Sequence, residues 1–180
     1  DAKSIRDADG FFFPMIWPNK NYPGQAVKEN KWQLADIEKE FRAQIELAMK
    51  KLPGRITHFS SHMGCSAFDD SVAAMTRRLA KEYNIYVDLQ GLGVESVSYE
   101  GPNKTSKEKI ASFIKMLDKL QPGKTYVFVD HPGLNSSELR AIHHIGYEDV
   151  AMDRQGVTDL FTSKVVMEAI KKKGVKLIGY

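Results

Sequence analysis

The sequence holds a single cysteine, Cys65, among its 180 residues. No disulfide can close within the chain, and a Cys-x-x-Cys metal knuckle is excluded. No apolar run reaches the roughly 18 residues a membrane-spanning helix needs. No basic-then-apolar leader pattern opens the chain. A phosphate-cradling P-loop and a G-x-S-x-G nucleophile elbow are both missing, and "GLGVES" lacks the spacing of a dinucleotide-binding glycine motif. No charge of one sign dominates: the formal net charge is +3, and the basic residues are dispersed. The densest basic run, Lys171, Lys172 and Lys173, falls at the end of a predicted helix, where cations suit the helix dipole better than they suggest a nucleic-acid surface. Repeats and low-complexity linkers are absent too.

What remains is the composition of an ordinary globular protein, 42% hydrophobic and 27% charged. Its length fits one domain spanning 1–180 with a real core. The chain begins abruptly with "DAKSIRDADG" and no methionine, so a processed or truncated start is expected. The compartment is not fixed by these features; the cytoplasm is favoured. Residues 1–33 read as a long irregular loop rich in Gly, Pro, Asn and aromatics. An aromatic-anchored surface loop and a functional lid both fit it.

From there the pattern becomes regular. Leu34, Ile37, Phe41, Ile45, Ala48 and Leu52 recur at helical spacing until Pro53-Gly54 stops them. "RITHFS" reads as a strand. Phe68, Val72, Met75, Leu79 and Tyr83 mark a second helix, followed by the strand-like runs "IYVDL" and "VESVSY". Ile110, Phe113, Ile114, Leu117 and Leu120 mark a third helix, and "TYVFVD" is the clearest strand. A short helix is expected over 138–144 and a last one over 164–173 capped by Gly174, with "VKLIGY" as a closing strand. Helices alternating with apolar strands predict an α/β architecture with parallel strands. In such folds ligands gather at the C-terminal ends of strands.

That rule gives the histidines a context. His58 and His62 stand four apart in "RITHFSSHMG". On a helix they could grip one zinc, but Phe59 occupies the position of the glutamate a zinc protease needs. On a strand they would lie about 13 Å apart, beyond one ion. His58 therefore reads as packed or hydrogen-bonded. For His62, just ahead of a Met63-Gly64 turn, a ligand and a structural role remain equally open. His131 ends the strand "TYVFVDHPG", with Pro132 holding it extended and Gly133 freeing the next turn. A histidine so placed can bind a metal or move protons near neutral pH. Asp130 would point to the opposite face and need not be its partner. His143 and His144 suit a helix end, Asp69 and Asp70 a helix start, and Cys65 a buried thiol.

These residues carry a resemblance. "RITHFSSHMG" resembles the T-H-x-D-S-H motif of the YdjC-like carbohydrate deacetylases, which include chitooligosaccharide deacetylases, and "VDHPG" resembles their C-H-P motif. "DRQGVTDLFTSKVVMEAIKKKGVKLIGY" is similar to their C-terminal pattern, and "SIRDADGFFFP" with "EKEFRAQIE" to the segment before the first motif. The resemblance implies a distorted, incomplete (β/α) barrel of the TIM type. It also implies a metal-dependent hydrolase that removes N-acetyl groups from amino sugars or short N-acetylglucosamine oligosaccharides. His62 would be a ligand of one divalent metal, magnesium or zinc. His131 would act as general acid or stabilise the transition state, and Arg154 matches the C-terminal arginine. The partners implied are a small carbohydrate and possible further copies of the chain, with neither nucleic acid nor membrane.

The chain departs from the pattern in several places. Ser60 stands where the family has aspartate, Gly64 where a third histidine often follows, and Val157 where a glutamate follows the arginine. The family's early Asp-Asp and Gly-x-His motifs have no match, so the first strands of the barrel are expected to be missing. An inactive fragment, a non-catalytic sugar-binding protein and a hydrolase of another acyl amide are the alternatives. Trp17, Trp32 and Phe11 to Phe13 could stack on sugar rings.

Overall fold

The structure, a computed structural model, describes residues 2–179. It divides into two compact units, Asp1–Val87 and Asp88–Tyr180.

The first unit is built on two helices, α1 (Leu34–Lys51) and α2 (Asp70–Glu82). Their apolar faces meet the irregular N-terminal segment in a core of Ile5, Val27, Ile37, Phe68, Val72, Met75 and Leu79. The N-terminal segment is fastened rather than loose. The backbone N–H of Ser4 donates to Asp36 Oδ2 (2.8 Å), and Ser4 Oγ accepts from Gln33 N–H (2.9 Å) at the start of α1. Phe13, Ile16 and Trp32 pack on the core, Trp32 edge-on to Phe68 at 5.1 Å, while Phe11, Phe12 and Trp17 stay exposed. Lys28 Nζ sits 4.3 Å from the centre of the Trp17 ring. Asp69 caps α2 by accepting from Ser71 N–H (2.9 Å), the role its position at a helix start predicts.

The second unit contains the sheet. Strands β1 (Val94–Val97) and β2 (Thr125–Phe128) pair in parallel, with Val94 opposite Thr125 and Val97 opposite Phe128. Helix α3 (Ser106–Lys119) makes the crossover that parallel pairing requires. It starts in a reciprocal cap: Thr105 Oγ1 accepts from Glu108 N–H (3.2 Å), and Glu108 Oε2 accepts from Thr105 N–H (3.0 Å). Three further helices follow, α4 (Ser137–Arg140), α5 (Val150–Thr162) and α6 (Lys164–Lys172). Phe113, Met116 and Leu117 of α3 form the core with Leu160 of α5 and with Val166 and Ile170 of α6. Phe128, at the end of β2, meets Phe113 and Tyr99 edge-on at 5.0 and 5.1 Å. Gly174, at φ +66, turns the chain out of α6.

The protein is thus mixed α/β with a small parallel sheet. Three expected strands, 55–60, 85–89 and 175–180, are not strands among the described residues, and Tyr180 lies outside them. Each run is apolar enough for a strand, but a strand also needs a partner to complete its hydrogen bonds, and none pairs with them here. In the other direction, α5 was not foreseen. Its apolar residues are spread around the helix, with Met152 and Phe161 exposed, and a glycine, Gly156, sits in its interior. The short helix expected over 138–144 ends at Arg140, so His143 and His144 lie beyond it, both exposed. No described helix is long and apolar enough to cross a membrane.

Asp69→Ala removes the α2 cap and is expected to destabilise the chain by about 1 kcal/mol, read as a lower urea midpoint at unchanged slope.

Candidate functional site

His62 lies in the first unit, on an exposed loop between "RITHFS" and α2. The turn is tight. Cys65 N–H donates to the His62 carbonyl (3.1 Å), and the two residues between them, Met63 and Gly64, have φ of +53 and +71. Gly64 adopts this geometry freely, whereas Met63 bears backbone strain to do so. His58 is half-buried, with its Nδ1 3.0 Å from Thr57 Oγ1, in keeping with a hydrogen-bonded role. Cys65 is half-buried as well, and burial pushes its thiol pKa up despite opposing backbone hydrogen bonds, the reverse of what a nucleophile needs.

His131 and Arg154 lie in the second unit. His131 follows β2 and exposes 57% of its side chain, while Asp130 beside it exposes 18%. Both residues lie past the end of β2, and their exposures differ. The Asp130 carboxylate nevertheless curls back: its Oδ1 accepts from the His131 backbone N–H (2.8 Å) and lies 3.9 Å from His131 Nδ1. The loop after His131 is bolted to α5. Gly133 N–H donates to the Arg154 carbonyl (3.1 Å) and to Thr158 Oγ1 (3.0 Å), and the Thr158 hydroxyl donates to the Gly133 carbonyl (2.9 Å). A Cβ on Gly133 would stand 2.8 Å from Leu139 Cδ2 and 3.1 Å from Arg154 Cβ, so close approach favours glycine in the His-Pro-Gly stretch. The Arg154 guanidinium has no hydrogen-bond or ion-pair partner among the described residues.

Beneath this loop is a charged cluster that the sequence reading missed. Lys109 of α3 is buried, with 4% of its side chain exposed. Its ammonium pairs with Asp153 Oδ1 at 2.8 Å and faces Asp130 Oδ2 at 4.0 Å. A tyrosine completes each carboxylate. Tyr99 donates its hydroxyl to Asp130 Oδ2 (2.6 Å), and Tyr147 donates to Asp153 Oδ2. Burial, reinforced by these hydrogen bonds, raises both phenols. Tyr147 is pushed up to about 12, and Tyr99 is also held well above the usual range. Burial raises the Asp153 carboxyl too, but the Lys109 and Tyr147 hydrogen bonds outweigh it and hold the carboxyl below its ordinary value. Gly156 makes room for the lysine, since a Cβ there would stand 3.2 Å from Lys109 Cδ and Cε. One signal for the cluster was present in the sequence. Lys109 falls on the same helical stripe as Ser112, Phe113 and Met116, all of them buried.

The expected site residues are therefore divided between the two units, His62 in one and the His131 loop with Arg154 in the other. Among the described residues, no group of three or more His, Cys, Asp or Glu side chains is placed to hold a metal. The donors in view do not make up a metal centre, since His62 by itself offers one ligand.

Two outcomes follow from the buried cluster. Because Asp153 is more acidic folded than unfolded, it stabilises the fold above about pH 3.9 and ceases to do so as pH falls through its lower folded value. Asp153→Asn should therefore shrink the stability lost on acidification below about pH 4, seen by urea midpoints across pH. Gly156→Ala should overpack Lys109 and destabilise by about 1–3 kcal/mol in the same measurement.

Comparisons with known proteins place the chain. No curated protein matches it significantly. Its fold is similar to the crystal structure of a protein described as a putative cellobiose-phosphate cleavage protein from Enterococcus faecalis V583, with a TM-score of 0.65 and 19% identity. That match covers 98% of this chain and 67% of the other, and at this identity it speaks for the fold alone. The model of a protein family described as YdjC-like protein matches residues 1–172, nearly the whole sequence, and the chain belongs to the YdjC-like family.

Proposed function

We propose that this chain carries part of the active site of a carbohydrate deacetylase, a hydrolase that frees acetate from N-acetylated amino sugars or short N-acetylglucosamine oligosaccharides. The observation that carries this reading is the His131 loop. An accessible imidazole stands just past the end of a parallel strand beside a largely buried carboxylate, on a loop hydrogen-bonded to α5. The name of the Enterococcus protein, which points to a phosphorylated disaccharide, supports a carbohydrate as the substrate class. A distorted (β/α) barrel is the architecture proposed for the enzyme.

Hydrolysis breaks the bond between the acyl carbon and the sugar nitrogen, and the departing nitrogen must gain a proton. His131 is exposed, and its ring can supply that proton as general acid. Arg154, without an ion-pair partner among the described residues and on the helix that anchors the His131 loop, is available to steady negative charge on the acyl oxygens. The proposed divalent metal, magnesium or zinc, would add Lewis-acid polarisation. His62 is its proposed ligand here, and the other donors would come from outside the described residues or from a second copy of the chain.

A second reading has its own support. Ser60 and Gly64 replace a carboxylate and a histidine of the family motif, and exposed Phe11 and Trp17 offer faces on which sugars stack. It is a non-catalytic carbohydrate-binding protein on the same fold.

Acetate release from short N-acetylglucosamine oligomers, paired with calorimetric titration of magnesium, zinc and cobalt, separates the readings. His131→Ala is expected to lower turnover about 10²–10⁴-fold with metal binding retained. His62→Ala is expected to abolish metal binding. Full activity in both variants would overturn the proposal, and saturable sugar binding without acetate release would favour the second reading.

A further inference from the structure

Lys109 is the first buried residue of helix α3, on the face that should be apolar, and its ammonium reaches groups from three other places in the second unit. They are the Tyr99 ring after β1, Asp130 after β2 and Asp153 within α5, whose other oxygen accepts from the Tyr147 hydroxyl. Its Nζ also lies 5.1 Å from the centre of the Tyr99 ring. Burying an ammonium costs several kcal/mol even when paired, and replacing such a group with an apolar side chain is often neutral for stability. The geometry shows what the charge does. Asp130 has two oxygens with separate duties. Oδ2 is held by the Tyr99 hydroxyl at 2.6 Å and faces Lys109 at 4.0 Å. Oδ1 is thereby left to accept the His131 backbone N–H at 2.8 Å and to face His131 Nδ1 at 3.9 Å.

We propose that Lys109 is a positioning residue for His131: with Tyr99, it fixes the Asp130 carboxylate so that Oδ1 faces the imidazole. A negative oxygen beside Nδ1 favours the Nδ1–H tautomer and leaves Nε2, the outer nitrogen, to deal with substrate. Asp153 completes the hub. It neutralises Lys109 at close range, so the ammonium turns Asp130 without being drawn onto it. Tyr147 fixes Asp153 as Tyr99 fixes Asp130. The inference rests on the reading of His131 as the proton donor for its consequence in turnover, but the geometry it asserts can be measured without any reaction.

The experiment is ¹⁵N–¹³C NMR of the histidine rings in the full 180-residue chain, at a pH well above the ordinary imidazole value of about 6.5. The variants are Asp130→Asn, Lys109→Met, Tyr99→Phe and Tyr147→Phe, with acetate release measured in parallel. The parent is expected to show His131 mainly as the Nδ1–H tautomer. Asp130→Asn, Lys109→Met and Tyr99→Phe should move it toward Nε2–H, and Tyr147→Phe should move it much less. Where turnover is measurable, Lys109→Met should cost about 10²-fold in kcat with little change in KM. If Lys109→Met does not fold, Tyr99→Phe decides, because it removes one hydroxyl and keeps every charge. An unchanged His131 tautomer in folded Tyr99→Phe and Lys109→Met would overturn the proposal. An equal shift in Tyr147→Phe would overturn it as well, by showing general loosening instead of a route through Asp130. The expected tautomer pattern in a chain that releases no acetate would uphold the positioning role and count against the deacetylase reading.

Discussion

The second unit depends on one ammonium group held out of water between two carboxylates. Lys109 could not be buried without them. Asp130 and Asp153, brought there by a strand end and a helix, would repel each other without it. Each charged group is needed because the others are present, and the two tyrosine hydroxyls satisfy lone pairs that would otherwise be left bare. The arrangement fixes relative position more than it adds stability. A buried ammonium between two half-buried carboxylates refers the ends of β1 and β2, helix α3 and helix α5 to one point. Gly156 follows from the same constraint, since any side chain there would occupy the path of the lysine stem.

The His-Pro-Gly loop shows what this rigidity serves. Pro132 holds the backbone of His131 extended, and Gly133 lets the chain come within bonding distance of α5, where Thr158 and the Arg154 carbonyl receive it. Helix α5 is thus joined to the His131 loop twice, by direct hydrogen bonds and through the Asp153–Lys109–Asp130 charges. The exposed imidazole is the accessible end of a fixed assembly.

Much of this fold was legible in the sequence and some was not. The apolar stripes of α1, α2 and α3 announced those helices, and the β-branched and aromatic run before His131 announced β2. The three unpaired runs were misread because apolar alternation records a tendency to pair and says nothing about whether a partner is within reach. Helix α5 was hidden because its apolar residues do not keep to one stripe: Val150, Val157 and Leu160 are buried, Met152 and Phe161 are exposed, and Asp153, Gln155 and Asp159 bond to other elements. Lys109 was hidden for a different reason. In "NKTSKEKIASF" it is one of several lysines, and a lysine at the surface is the ordinary case. His131 and Arg154 could be picked out because their neighbours were distinctive; Lys109 could be recognised only by its place on a helical face.

Both tryptophans, Trp17 and Trp32, belong to the first unit, one under the Lys28 ammonium and one edge-on to Phe68 in the core. The second unit contains tyrosines and phenylalanines but no indole. Excited at the red edge, the protein emits light from one half only. Its tryptophan spectrum reports the surroundings of the N-terminal segment, whereas circular dichroism averages over both halves. The placement of two side chains thus gives the molecule a built-in optical label for one unit, with no dye attached.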